Sequence, residues 1–187
     1  MQQRINRTVS ALVLAVIGTL CAPSGSWSIE PGFKQYTDPS RRFILDYPGT
    51  MQMAVSKPDE ATIRHPKASL LIRIVIEKRT QTKITDAKAM LQAFKKQLKK
   101  ENKDAAILEE GKLPGLEGSQ GYLICSFKNP KGIRVVQLVQ YYVAKNRFLL
   151  LIISDRLEGF KNLAEVIRKI HKSLRIIDPQ LRNGVQG

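Results

Sequence analysis

The stretch that decides the fold is RFLLLIIS, residues 147–154. Its centre, FLLLII, is apolar at every position, so both faces of the segment need cover from other parts of the chain. A strand that is buried on both faces has a continuous apolar sequence and lies inside a sheet rather than at its edge. Residues 147–154 therefore predict a central strand.

Two segments before this strand have the character of strands joined by tight turns. They are YLICSFK (122–128) and IRVVQLVQYYVA (133–144). The turn sequences are NPKG (129–132) between the two segments and KN (145–146) before the central strand. Because short turns of this kind join antiparallel neighbours, the three segments predict an antiparallel meander.

Alternating apolar and polar residues predict further strands on the N-terminal side. These are RRFILDYP (41–48), MQMAV (51–55), ATIRH (61–65), LLIRIVIEKR (70–79) and AAILEE (105–110). In the longest of them, residues 70–79, the leucine and isoleucines share one face and Arg73 and Glu77 the other. One buried face and one polar face are typical of strands in an antiparallel sheet.

Two amphipathic helices complete the pattern. The first is capped by Thr85 or Asp86, and its apolar residues recur at helical spacing up to Leu98. The second runs from about Leu157 to Leu174, with an apolar stripe along one side. The order of elements predicts an α+β fold with a single antiparallel β-sheet and helices packed on it, an α/β/α sandwich over residues 29–178. Residues 179–187 are expected to form a flexible C-terminal tail.

The N-terminus has the pattern of an export signal. Arg4 and Arg7 precede the short apolar run SALVLAVIGTLCA (10–22), and the small residues Ser26 and Ser28 flank Trp27. This arrangement predicts a signal peptide over residues 1–28, cleaved after Ser28, and hence a periplasmic or secreted protein. Retention of the segment as a membrane anchor and lipidation at Cys21 are the alternatives.

The chain is strongly basic, with 31 Lys and Arg against 16 Asp and Glu. Removal of the two arginines in the predicted leader leaves it strongly basic. Such an excess favours anionic partners, which include acidic protein surfaces and anionic membranes. Nucleic acid is disfavoured as a partner because the protein is expected to be exported.

No combination of residues predicts a catalytic or metal site. Cys125 alternates with apolar residues on one strand face, so it is expected to be a buried core residue. His65 and His171 lack a second ligand at metal-binding spacing, and His171 is expected to be solvated on its helix. Glu109 and Glu110 are neighbours in a strand and should point to opposite faces. We therefore predict no enzyme activity, no metal and no cofactor.

The basic faces of the two helices form the candidate docking surface. Its residues are Lys95, Lys96, Lys99, Lys100, Lys103, Lys161, Arg168, Lys169 and Arg175. Helices on opposite sheet faces would present two patches, and helices on the same face would present one. Basic faces of this kind also serve merely to keep a protein soluble.

Several segments together resemble the PsbP-like and DcrB-like exported domains. They are FILDYP (43–48), ITDAKAMLQAF (84–94), LPGLEGSQGYLICSF (113–127) and FLLLIISDRLEGFKNLAEVIRKIHKSLRII (148–177). The resemblance covers most of residues 33–177 and lies in the order and pattern of elements. It implies a small exported domain that is not an enzyme and that assists or stabilises a larger assembly.

Three functions follow as hypotheses. The first is an exported, non-catalytic domain that binds or stabilises a protein assembly at the cell envelope. The second is a basic module that attaches to anionic lipid or an envelope polymer. The third is an enzyme whose site is assembled from scattered residues, for which a cavity holding His65 or His171 with a carboxylate would be the evidence.

Overall fold

The structure of the protein is a computed structural model that describes residues 31–78, 86–113, 120–144 and 147–178. The predicted leader (1–28), the predicted tail (179–187) and the KN turn (145–146) lie outside the described residues. The described residues form ten strands and three helices.

The elements follow the predicted order closely. The strands are β1 (Phe33–Thr37), β2 (Phe43–Pro48), β3 (Gln52–Lys57), β4 (Glu60–Arg64), β5 (Leu71–Lys78), β6 (Ala106–Lys112), β7 (Gln120–Lys128), β8 (Arg134–Val143), β9 (Arg147–Arg156) and β10 (Arg175–Ile176). The helices are α1 (Ala87–Glu101), α2 (Leu157–Asn162) and α3 (Ala164–Ser173). Within the described ranges, none of the three helices has the length and hydrophobicity of a transmembrane span.

The larger sheet has seven strands in the order β3-β4-β5-β9-β8-β7-β6, and every pair in it is antiparallel. The strand predicted to be central, β9, lies in the middle of this order. Its residues Leu149, Leu151 and Ile153 are fully buried on one face. Burial of each such side chain contributes about 1.5–3 kcal/mol relative to exposure. The prediction from residues 147–154 is confirmed.

The prediction of a single sheet is wrong, because the chain forms two. The second sheet has three strands in the order β1-β2-β10. Strand β2 pairs with β1, to which a short turn joins it. Strand β2 also pairs with β10, whose two residues lie opposite Ile44 and Phe43. The strand predicted over residues 41–48 thus forms, but it pairs with β1 and β10 instead of joining the large sheet.

The two faces of the large sheet carry different layers. On one face, Leu149 and Ile153 belong to the main core with Phe43, Phe160 and Ile170, so the small sheet, α2 and α3 cover this face. On the other face, Phe148 and Tyr141 pack against Ala87 and Met90 of α1. Because neighbouring residues of a strand point to opposite faces, α1 lies on one side of the sheet and α2 and α3 on the other.

The second predicted helix is divided into two. The chain leaves helical geometry at Leu163, where φ is −105° and ψ is 17°, and α3 begins at Ala164. The break is short, so Phe160 of α2 and Ile167 and Ile170 of α3 still share one buried side. The continuous apolar stripe in the sequence therefore does not reveal the break.

Arg42 connects the two sheets through an ion pair with the buried Asp38 and a second one with the exposed Asp59. It donates from Nε to Oδ2 of Asp38 at 2.7 Å and from Nη2 to Oδ1 of Asp38 at 2.9 Å. Its Nη1 pairs with Oδ1 of Asp59 at 2.6 Å, and Nη2 also donates to the carbonyl of Pro58. Asp38 belongs to the β1–β2 turn, and Pro58 and Asp59 form the β3–β4 turn. Arg42 thus fixes the small sheet against one end of the large one.

Cys125 lies on β7 and is fully buried. Burial raises the pKa of its thiol to about 12, so the reactive thiolate is suppressed at neutral pH. In a Cys21→Ser variant, where Cys125 is the remaining thiol, we expect Ellman's reagent to react at least ~1,000-fold more slowly with the folded protein than with the denatured one, because reaction has to wait for opening of the core. Rapid reaction of the folded variant would contradict the burial of Cys125.

Candidate docking surface

Helix α1 presents the first group of candidate lysines to solvent. Asp86 is its N-cap and accepts a hydrogen bond from the backbone N–H of Ala89 at 2.7 Å, which confirms one of the two predicted caps. Ala87, Met90 and Leu98 form the buried side of the helix. Because these residues fix the orientation of the helix, its other side has to face solvent.

The solvent side of α1 carries positive charges that are not neutralised by neighbouring carboxylates. Lys96, Lys99 and Lys100 are exposed on the helix, and Lys103 is exposed just after its end. We call these four residues the α1 lysine stripe. Among the described residues, none of the four forms an ion pair. The stripe is therefore a surface of uncompensated positive charge.

Lys95 differs from the four residues of the stripe, although it is next to Lys96 in the sequence. Its ammonium forms an ion pair with Glu110 of β6, and its side chain is only 20% exposed. Lys95 thus joins α1 to the edge of the large sheet, and its charge is already compensated.

The stripe has a cost in stability as well as a benefit. Lys96 lies three and four positions before Lys99 and Lys100, and like charges at this spacing destabilise a helix by about 0.2–0.5 kcal/mol per pair. Lys99 and Lys100 also lie in the last turn, where a positive charge next to the helix dipole stabilises by about 0.3–1 kcal/mol. The helix dipole thus explains why lysines at positions 99 and 100 stabilise α1, but it does not explain the lysine at position 96. Helix stability alone therefore does not explain why the stripe is basic.

The second group of candidate residues is largely compensated. Lys161 pairs with Glu158 at 3.3 Å, and Arg168 pairs with Glu165. Lys169 is exposed on α3. These residues lie on the opposite side of the large sheet from α1, so the basic helices present two separate patches instead of one.

Arg175 does not lie on a basic helix face as its position in the sequence suggested. It belongs to β10, and its guanidinium pairs with Oδ1 of Asp46 on β2 at 3.1 Å. Gln35 of β1 donates to the same oxygen at 3.1 Å. Arg175 therefore stabilises the small sheet, and its side chain is only 19% exposed.

The structure places the two histidines apart from each other and in different surroundings. Nδ1 of His65 accepts the backbone N–H groups of Lys67 and Ala68 at 3.2 and 2.9 Å, so His65 shapes the β4–β5 turn. His171 is buried, with 4% of its surface exposed, and the prediction that it is solvated is wrong. Its position next to Ile170 on the inner side of α3 explains the burial.

Burial, and to a smaller extent nearby Lys172, lowers the pKa of His171 to about 4. In the unfolded chain the pKa of His171 has its ordinary value near 6.5, so the unfolded chain takes up a proton at a higher pH than the folded protein does. The free energy of unfolding therefore decreases as the pH falls from about 6.5 to about 4. Between about pH 7 and pH 4.5, we expect the wild type to lose about 2–3 kcal/mol more of its unfolding free energy than His171→Gln. Urea unfolding at both pH values measures the difference, and equal losses would contradict it.

Two cavities of about 500 Å³ are lined by described residues, and neither lining contains a histidine. One of them lies at the start of α2, where the hydroxyl of Ser69 donates to Oδ1 of Asp155.

Glu109 accepts a hydrogen bond from Tyr122 in the main core, whereas Glu110 faces α1, so the two carboxylates lie on opposite faces as predicted. In the described part of the chain, no group of three His, Cys, Asp or Glu residues is arranged to hold a metal.

The two antiparallel sheets with helices on both sides of the larger one define a Mog1/PsbP-like α+β fold. No family model matches the sequence, and no curated protein matches it. The resemblance to PsbP-like domains that was inferred from the sequence is confirmed at the level of the fold.

Three solved structures illustrate this likeness. The Ran-binding protein Mog1p of Saccharomyces cerevisiae has a TM-score of 0.60 and 11% identity, covering 82% of this chain and 99% of its own. The cyanobacterial PsbP (CyanoP) of Synechocystis has a TM-score of 0.54 and 13% identity, covering 84% of this chain and 98% of its own. A Pseudomonas aeruginosa protein of unknown function, a putative regulator, has a TM-score of 0.54 and 9% identity, covering 79% and 98%.

The amino-acid sequence reveals only some of the carboxylates that compensate the candidate cations. Glu110 and Asp46 are distant in sequence from Lys95 and Arg175, and only the folded sheets bring them together. The partners of Lys161 and Arg168 were within reach of sequence analysis, because Glu158 and Glu165 lie three positions earlier on a helix.

Proposed function

We propose that this protein is an exported, non-catalytic binding domain that docks through its α1 lysine stripe on an acidic surface of a protein assembly at the cell envelope. The observation that carries the proposal is the contrast between the stripe and four of the five other candidate cations. Lys95, Lys161, Arg168 and Arg175 each have a carboxylate partner within the protein. The stripe has none among the described residues, so its charges remain available to a partner.

The fold and the leader support the remaining parts of the proposal. The yeast protein of the same fold is a Ran-binding protein, which is a precedent for this architecture in binding another protein. The basic and apolar N-terminal segment of this chain supports export, and export brings the domain to the envelope.

An acidic protein surface suits the stripe better than a lipid bilayer does. Amphipathic helices that lie in a bilayer insert their apolar side into the lipid. In α1 that side is already buried, with Met90 packed against the large sheet. The exposed side adds only Gln92, Ala93 and Gln97 to its charged residues, so no large apolar side chain is available for insertion. Attachment to lipid would have to depend on charge alone.

The experiment that tests the proposal is capture of partners by the purified chain from an envelope extract, with vesicle binding in parallel. We expect one partner in stoichiometric amount, released by raised salt because exposed charges are screened. Vesicles should bind weakly, with only the modest and salt-sensitive increase on anionic lipid that the net positive charge of the chain produces. Recovery of nothing above background would contradict the proposal, and strong, salt-sensitive binding to anionic vesicles alone would favour attachment to lipid.

A further inference from the structure

A cavity of about 500 Å³ lies between the start of α1 and the β6–β8 end of the large sheet. Its volume falls within the range of roughly 300–1,000 Å³ that is usual for small-molecule sites. It lies beneath the beginning of the helix, whereas the α1 lysine stripe occupies the outer side of the helix towards its other end. The cavity is therefore a feature separate from the proposed docking surface.

The inner wall of the cavity is apolar. Ala87 and Leu91 of α1 and Tyr141 of β8 line it. Gly121 of β7 makes room for the Tyr141 ring, because a Cβ at this position would collide with the Tyr141 hydroxyl. Tyr141 is only 6% exposed, so its ring forms a fixed wall instead of a mobile cover.

The charged groups at the rim are not balanced. Glu110 is paired with Lys95, and Asp86 is engaged as the cap of α1. Lys88 and Lys112 also line the cavity, are exposed, and form no ion pair among the described residues. The Glu110 charge is thus compensated by Lys95, and Lys88 and Lys112 outnumber the one remaining carboxylate, Asp86, so the described lining has a net positive charge.

We propose that this cavity binds a small amphipathic anion, an apolar chain or ring system that carries one carboxylate or sulfonate group. The apolar body lies against Leu91 and Tyr141, and the anionic group lies at the opening near Lys88 and Lys112. This combination of an apolar wall and few polar groups at one end is how ligand sites fix the orientation of such molecules. The inference does not depend on the proposed docking function.

The test is binding of anilinonaphthalene sulfonate to the full chain, followed by fluorescence, with decanoate, decanol and decylamine as competitors. We expect decanoate to displace the dye and to compete at least about tenfold better than decanol, with decylamine the weakest. Absence of dye binding, or equal competition by the three chains, would overturn the proposal.

Two variants locate the binding. Leu91→Trp fills the cavity and should weaken dye binding by at least about tenfold. The double variant Lys88→Glu and Lys112→Glu leaves the core intact. It should weaken the binding of decanoate by about tenfold and change the binding of decanol little. Dye binding that survives both variants would place the dye elsewhere and overturn the proposal. Circular dichroism verifies that each variant is folded, and the double lysine variant tests the site even if Leu91→Trp does not fold.

Discussion

Replacement of Arg42 with alanine is expected to lower the free energy of unfolding by about 3–5 kcal/mol, because it leaves a buried carboxylate without its partner. Asp38 is 2% exposed, and Arg42 is 7% exposed. The guanidinium donates two hydrogen bonds to Asp38 and also pairs with Asp59, and the hydrogen bond with Asp38 is the main cause that raises the pKa of Arg42. Its loss would remove the hydrogen bonds that join the start of β2 to Pro58 and Asp59 in the β3–β4 turn.

Urea or guanidinium unfolding measures this loss. Arg42→Lys keeps the charge but lacks the planar fork that donates to two oxygens at once, so it should recover only part of the stability. Arg64→Ala is the matched control, since Arg64 is exposed at the end of β4 and should change stability by no more than about 0.5 kcal/mol. If Arg42→Ala and Arg64→Ala have the same small effect, Arg42 does not connect the two sheets.

Reversal of three charges in the stripe, Lys96→Glu, Lys99→Glu and Lys100→Glu, is expected to weaken binding to the envelope partner by at least about 100-fold. Each substitution removes an attraction and introduces a repulsion against an acidic surface, and like charges facing each other cost several kcal/mol. The fold should remain, with a loss on the order of 1 kcal/mol because glutamate in the last helical turn opposes the helix dipole.

A control with the same change in net charge separates a specific surface from general attraction. Lys34, Lys57 and Lys131 are exposed and lie outside α1, and their joint replacement by glutamate should weaken binding by no more than about threefold. Affinities of both variants are compared by surface plasmon resonance on the captured partner. Equal losses in the two variants would show that net charge, and not the stripe, attracts the partner.

The large sheet was predictable because its signals are local. The apolar run at residues 147–154 identified β9 as central. The NPKG turn, which joins β7 to β8, identified these two strands as a hairpin. Asp86 was one of the two residues predicted to cap the start of α1, and its side chain does cap the helix. In each case the residues that determine the element lie within it or next to it.

The small sheet was not predictable as a whole, because its third strand depends on a distant partner and its first strand has only a weak pattern. Strand β10 has only two residues and exists through pairing with β2, far away in the sequence. Strand β1 alternates weakly, and its residues Lys34 and Gln35 are exposed. The same reason applies to the charges: Arg175 and Lys95 looked free in the sequence, and the fold supplied carboxylates for both.

Site-specific photocrosslinking tests the central claim, docking through the α1 lysine stripe, most directly. A benzoyl-phenylalanine at Ala93, which is exposed three and seven positions before Lys96 and Lys100, should form a covalent adduct with a single envelope protein. The same group at Asn162, exposed on the opposite side of the large sheet, should form none. An adduct at Asn162 without one at Ala93 would contradict the account.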